Sequence, residues 1–319
     1  MDEIDFNEEK VVYSLKDEKP EMHIGEYFQV ISFNDLYYLY YNCENKIKLV
    51  ISDTLSFVDK KSVVVVQNAP GGCFCVVKDG TQLKMLCGSH ISNQEHEELV
   101  IPDLVWPLEQ STLLNPDISR RDRKNGMYLL SSNDGIVWNQ IYDKPVLNAL
   151  CFSDSCPLGS VAFDTSPYII KKENTFYYYG RLNMGLDERA IYCRTSTNLI
   201  DWTAPEKIVI KNINSEDRKQ NYYNSVVFQK ENTMYMLCPY FECCGTKQRD
   251  CNNGKTLLLK SENGRSWKVI KYCLSHKGKY KHRVNDILVD QEKAYVFFRR
   301  NIPQVRQELV SYNFNAKHL

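Results

Sequence analysis

Short apolar and aromatic runs, broken by pairs of polar residues or glycine, recur along this chain. In Tyr27 to Tyr41 two such runs flank Asn34-Asp35, and in Phe74 to Cys87 they flank Asp79-Gly80. Phe163 to Tyr179 and Asn221 to Leu237 match almost position by position. Each holds an apolar run, the identical tetrapeptide Lys-Glu-Asn-Thr and a second, aromatic-bearing run. Val284 to Phe298 closes the series. Apolar runs of strand length around a two-residue turn signal predict antiparallel hairpins, and the chain carries five of them.

A second repeat follows several hairpins. Ser132 to Trp138 (SNDGIVW), Ser196 to Trp202 (STNLIDW) and Ser261 to Trp267 (SENGRSW) all place Ser six positions before Trp. Their Asn, Asp and Gly content predicts a tight turn joining two outer strands, with Trp opening the second of them and packing between neighbouring units. Ser52 to Phe57 reads as a degenerate first copy. Hairpin, third strand, turn and Trp strand together make one four-stranded propeller blade.

The sequence therefore predicts an all-β fold, a five-bladed β-propeller of four-stranded antiparallel blades. Approximate blades are 25–66, 67–143, 161–210, 220–273 and 282–314, within a single domain over 25–319. The insert 89–124 carries Pro102, Pro107 and Pro116 and reads as loop. Residues 1–24 form an N-terminal segment in which Lys10 to Leu15 is expected to supply a ring-closing strand. A pair of β-sandwiches with coincidental turns is the competing architecture.

Composition narrows the function classes. The 319 residues include 43% hydrophobic and 25% charged side chains, the profile of a globular protein with an adequate core. The 21 tyrosines suit pleated, half-buried surfaces. With 40 basic and 40 acidic residues the formal net charge is zero, and the basic clusters at 120–124 and 277–283 are short, so no nucleic-acid partner is expected. No run of 18 apolar residues marks a membrane span, and the acidic N-terminus shows no secretory signal. Twelve cysteines without such a signal predict reduced thiols and a cytoplasmic setting.

Three phrases carry a family resemblance: Phe163-Asp164-Thr165, Tyr177 to Arg181, and Arg189-Ala190-Ile191 running to Trp202. With the repeat, they resemble the clan of five-bladed propeller glycosidases that includes arabinanases, β-xylosidases and invertase-like enzymes. The likeness is strongest to bacterial glycosidase-like propellers. It covers most of the chain from Gly25 onward.

The resemblance implies a polar pocket at one end of the central channel, where the innermost strands begin, and a carbohydrate or glycoconjugate as partner. Glycosidic cleavage there needs one carboxylic acid to protonate the leaving oxygen and a carboxylate to activate water or attack. A third acid in the clan tunes the proton donor. Asp164, just before the third blade's inner strand, stands where that tuning acid is expected, or else accepts backbone hydrogen bonds at a strand entrance. Glu26 takes the corresponding place in the first blade, as base or nucleophile or as an exposed loop residue; the clan has Asp there. Asp286 lies at the fifth-blade entrance as a further catalytic candidate.

The fourth blade departs from the pattern. Tyr222 aligns with Asp164, followed by Tyr223 and Asn224, where the clan carries its proton-donating Glu. These three suit sugar stacking and hydroxyl recognition, or an aromatic plug. His282 and Arg283 flank the fifth-blade entrance. Arg181 and Arg299, at equivalent ends of second strands, suit anionic sugars through bidentate contacts or hydrogen bonding between blades.

Two functions stay open: hydrolysis of a glycosidic bond, and a catalytically degenerate propeller that binds glycans or proteins at the same pocket. No cofactor motif is present. Cys238, Cys243, Cys244 and Cys251 cluster without the paired spacing of a structural zinc site, so no metal is assigned.

Overall fold

The computed structural model describes residues 9–14, 27–43, 46–67, 73–88, 126–142, 144–148, 150–153, 156–161, 167–183, 189–211, 219–222, 225–243, 255–275, 284–290, 292–302 and 306–316. These are strands and turns, with no α-helix among the described residues. No helix there is long and apolar enough to cross a membrane.

All five predicted hairpins form. Phe28–Phe33 pairs with Leu36–Cys43, Cys73–Asp79 with Gln82–Gly88, Tyr168–Lys172 with Thr175–Asn183, Val226–Lys230 with Thr233–Cys243, and Val284–Asp290 with Lys293–Ile302. The turn residues explain the register. Asn34 and Asp35 both take positive φ, 51° and 60°, the twist that suits a two-residue hairpin. In the twin Lys-Glu-Asn-Thr turns, Glu173 and Glu231 share the same left-handed φ of 54°.

Third strands extend each hairpin into a sheet. Lys46–Ser52 and Val63–Val66 complete a four-stranded first sheet, and Gly126–Ser132 with Leu147–Asn148 extends the second. The third and fourth hairpins, extended by Arg189–Ser196, Lys255–Ser261 and Ser266–Ser275, run together through the short strand Lys219–Tyr222. That strand meets Arg189–Ser196 at one parallel pairing, Arg189 with Asn221. The fifth hairpin pairs with Arg306–Asn315, and Lys10–Ser14 then pairs antiparallel with that strand, so one four-stranded sheet holds both ends of the described chain. A small hairpin, Leu150–Ser153 with Cys156–Val161, is a further element that the repeat pattern does not announce.

The Ser-to-Trp segments are one turn built three times. Ser132 Oγ accepts from Gly135 N–H (2.8 Å), Ser196 Oγ from Leu199 N–H (2.9 Å) and Ser261 Oγ from Gly264 N–H (2.9 Å). Asp134, Asn198 and Asn263 each accept two further backbone N–H groups through Oδ1. Each indole N–H donates back to the carbonyl of residue 135, 199 or 264, at 3.0 to 3.1 Å. In the Ser52 copy, Phe57 takes the aromatic place and is fully buried, while Ser52 Oγ donates to Ser56 O at 2.8 Å.

A full outer strand after the Trp is expected in every such blade, and the structure corrects this. Trp267 opens the long strand Ser266–Ser275, whereas Trp138 and Trp202 are followed by the two-residue strands Asn139–Gln140 and Glu206–Lys207. After Trp202 the chain meets Pro205, which has no N–H to give the ladder.

The first strands of the five hairpins lie innermost. That of the first packs on those of the second and the fifth, and the third strand of this set packs on the second and the fourth, which packs on the fifth. The contacts close a cycle. Core side chains fill the gaps between sheets: Tyr179, Met234, Met236 and Trp267 sit between the third and fourth, and Phe28, Tyr41, Phe57 and Phe297 between the fifth and first.

Candidate functional site at the inner-strand entrance

Inner strands that pack in a cycle bring their first residues to one end of an axis, and one of the sequence candidates, Asp286, lies on such a strand. Asp286 lies on the fifth inner strand with no exposed surface. Both of its oxygens are engaged. Oδ2 accepts the backbone N–H of Val30 on the first inner strand. Oδ1 accepts the Tyr168 hydroxyl from the third, at 2.8 Å, and the N–H of Ile287, at 2.8 Å.

Burial is the largest influence on this carboxyl and pushes it up to about 7, although its three donors favour the charged form. Burial likewise pushes the Tyr168 hydroxyl well above its ordinary value, with the Asp286 charge adding to the effect. The sequence puts Asp286 among the catalytic carboxylates; the structure makes it a tie between three inner strands, with no oxygen facing solvent.

Gln29 makes a second tie beside the first. Its side-chain amide donates to Val76 O (2.7 Å) and accepts from Val76 N–H (2.6 Å), so it imitates a strand partner between the first and second inner strands. Gln29 was not among the sequence candidates. Its buried polar side chain inside an apolar run was the available signal.

Tyr222 is placed away from the axis. It is 7% exposed, packs in the cluster between the third and fourth sheets and meets the Tyr240 ring at 5.5 Å. The alignment on the Lys-Glu-Asn-Thr turn puts it opposite Asp164, but the chain uses this position in the strand Lys219–Tyr222, paired with the far half of Thr233–Cys243. A proton-donating or sugar-stacking Tyr222 is therefore replaced by a core one.

Arg181 is buried near the end of Thr175–Asn183, two residues beyond Tyr179 and hence on the face turned to the fourth sheet. Arg299 is placed by its backbone alone, opposite Leu309. Glu26, Asp164, Tyr223, Asn224, His282 and Arg283 lie outside the described residues. Of the clustered cysteines, Cys238 is fully buried, and its Sγ–H donates to Pro239 O at 3.6 Å. Among the described residues no group of three metal-ligating side chains converges.

No protein-family model and no curated protein matches this chain. Solved structures do match along most of its length. An endo-arabinase from Bacteroides thetaiotaomicron aligns over 95% of this chain and 96% of its own, at 12% identity and TM-score 0.56. A β-xylosidase aligns over 96% and 94%, at 11% identity and TM-score 0.58. A β-fructofuranosidase from Bombyx mori aligns over 90% of this chain, at 14% identity and TM-score 0.56, and this chain spans 59% of that longer one. At such identities the likeness is one of architecture, and this chain shares the fold of these solved structures.

Proposed function

We propose that the chain is a five-bladed, glycosidase-like β-propeller that takes a carbohydrate or glycoconjugate where its inner strands begin, and that it hydrolyses a glycosidic bond there. The carrying observation is the fold shared over nearly the whole chain with enzymes named for arabinan, xyloside and fructofuranoside cleavage. The cyclic packing of five inner strands supports the blade count.

With Asp286 committed to its tie, the remaining carboxylate candidates are Glu26, in the place of the base or nucleophile, and Asp164, in that of the acid that tunes the proton donor. Tyr223, Asn224, His282, Arg283 and Arg299 are the proposed substrate contacts, and Arg181, buried on the face turned to the fourth sheet, takes the role of joining blades. A cytoplasmic setting belongs to the same proposal; the buried cysteines, Cys75, Cys87 and Cys193 among them, fit a reducing compartment.

Tyr222 favours a second reading. The residue aligned with the clan's proton donor packs in the core, which suits a propeller that binds glycans without cleaving them. Assaying wild type and Asp164→Asn on arabino-, xylo- and fructo-oligosaccharides separates the two. Hydrolysis by wild type, lost in the variant, supports the enzyme. Binding without turnover supports the module, and turnover unchanged in Asp164→Asn removes Asp164 from the mechanism.

A further inference from the structure

The first residues of the five inner strands are Phe28, Cys73, Tyr168, Val226 and Val284. Four of them are closed off, at 1%, 0%, 2% and 0% exposure for Phe28, Cys73, Val226 and Val284. Tyr168 alone of these five is only partly buried. Its hydroxyl is nevertheless fixed at 2.8 Å to the fully buried Asp286.

The third and fifth inner strands are not neighbours in the cycle, because the fourth lies between them. A side chain that leaves the third and bonds to the fifth must cross the inside of the ring. Its ring also borders the apolar clusters on both sides of the fourth sheet. Tyr168 thus reaches across the inside of the ring from the start of its strand, with its hydroxyl tied down and the residue only partly buried.

We infer that Tyr168 is a sugar-stacking platform, receiving the C–H face of a pyranose or furanose ring at the floor of the entrance. This rests on the carbohydrate reading above and adds a residue to it. An aromatic side chain offers a broad apolar surface of fixed shape, which suits the C–H face of a sugar, and a Tyr can anchor itself by its hydroxyl while doing so. The anchor matters because a ring already held in place loses little freedom when ligand arrives. Asp286 then acts as the positioning residue: it touches no ligand, and it holds the ring that does.

The test is calorimetric titration of arabino-, xylo- and fructo-oligosaccharides into wild type, Tyr168→Phe and Tyr168→Leu, with thermal melts of all three. Tyr168→Phe keeps the ring but loses its tie to Asp286 and is expected to bind about threefold more weakly than wild type, while Tyr168→Leu, still folded, is expected to weaken binding at least about tenfold. Binding by Tyr168→Leu equal to wild type overturns the platform and leaves the carbohydrate reading standing. A wild type that binds none of the three series overturns both.

A second measurement does not depend on the leucine variant folding. In wild type with isotope-labelled tyrosine, the Tyr168 ring resonances, assigned by their loss in Tyr168→Phe, are expected to shift on adding the bound oligosaccharide. Unshifted resonances at saturation also overturn the platform.

Discussion

Asp286 shows how much one side chain depends on its surroundings. In the unfolded chain its carboxyl titrates near the ordinary value of about 4, and in the folded chain near 7. Between those values the folded state holds a proton that the unfolded state has released, so stability falls as pH rises through this window. The contribution is full below the unfolded value and lost above the folded one. Urea unfolding from pH 4.5 to 8 is expected to show that fall in wild type and a flatter profile in Asp286→Asn. The variant is also expected to lose about 1–3 kcal/mol, because its amide N–H faces the Val30 N–H. Equal pH slopes in the two proteins would assign the titration elsewhere.

The glycines of the Ser-to-Trp turns make a related point. A Cβ on Gly135 would lie 2.7 Å from the Tyr40 hydroxyl oxygen, and one on Gly264 would lie 2.7 Å from that of Tyr179. These same hydroxyls donate to the carbonyls of Gly135 and Gly264. The third copy carries Leu199, at φ 64° and 2% exposure. Counting from each hairpin turn, Leu86 of the second hairpin stands where the first has Tyr40 and the third has Tyr179. Leucine is admitted at the copy whose preceding hairpin lacks that tyrosine.

At the scale of elements, the three turns share a geometry and differ in chemistry. Asp134 accepts the Val137 and Ile136 N–H groups, which hold its carboxyl below the usual carboxylate range. The turn's stabilisation is therefore present above the unfolded pKa and lost as pH falls through the folded one; exposure of the site keeps it small. Asn198 and Asn263 do the same work without a charge. Hydrogen-exchange protection at Ile136 and Val137 is expected to drop on acidification, while that at Ile200, Asp201, Arg265 and Ser266 holds steady. Asp134→Asn should abolish the difference; if it persists, the carboxylate is not its source.

These elements were legible because their causes are local. Asn34-Asp35, Asp79-Gly80 and the twin Lys-Glu-Asn-Thr segments fix hairpin turns through the backbone conformations they tolerate. Ser-to-Trp spacing likewise encloses every hydrogen bond its turn needs. The outer strands were less legible, since two residues after Trp138 and Trp202 rest on ladders whose length depends on neighbouring chain.

For the whole molecule, the pairing of Lys10–Ser14 with Arg306–Asn315 carries the largest consequence. Val12 and Tyr13 are buried, at 4% and 8% exposure, in one cluster with Phe28, Tyr41, Phe297 and Leu309. Deleting residues 1–14 removes those side chains and leaves Arg306–Asn315 as a bare edge. At about 1.5–3 kcal/mol per large buried apolar side chain, the loss should reach at least about 3 kcal/mol. The exposed edge invites association between chains. A truncated chain that melts with the full-length protein and stays monodisperse by size exclusion would show that this strand contributes little.

The candidate site was legible in part, and the division follows distance along the chain. Asp286 was recognisable from its place before a fifth apolar run, but not its burial, which needs Val30 and Tyr168 brought to it from far away in sequence. Tyr222 was recognisable as Asp164's counterpart in the repeat, yet its core position depends on a pairing with Tyr240 that the turn alignment does not contain. Tyr168 drew no notice as the opening residue of an apolar run, since its distinction lies in what the other four inner strands cover. Sequence alone determined the hairpins, the Ser-to-Trp turns and their number, because residues a few positions apart set those conformations. Which polar side chains are sealed inside and which face the entrance was decided by the cyclic packing of five inner strands, because burial is a property of neighbours that only the closed fold supplies.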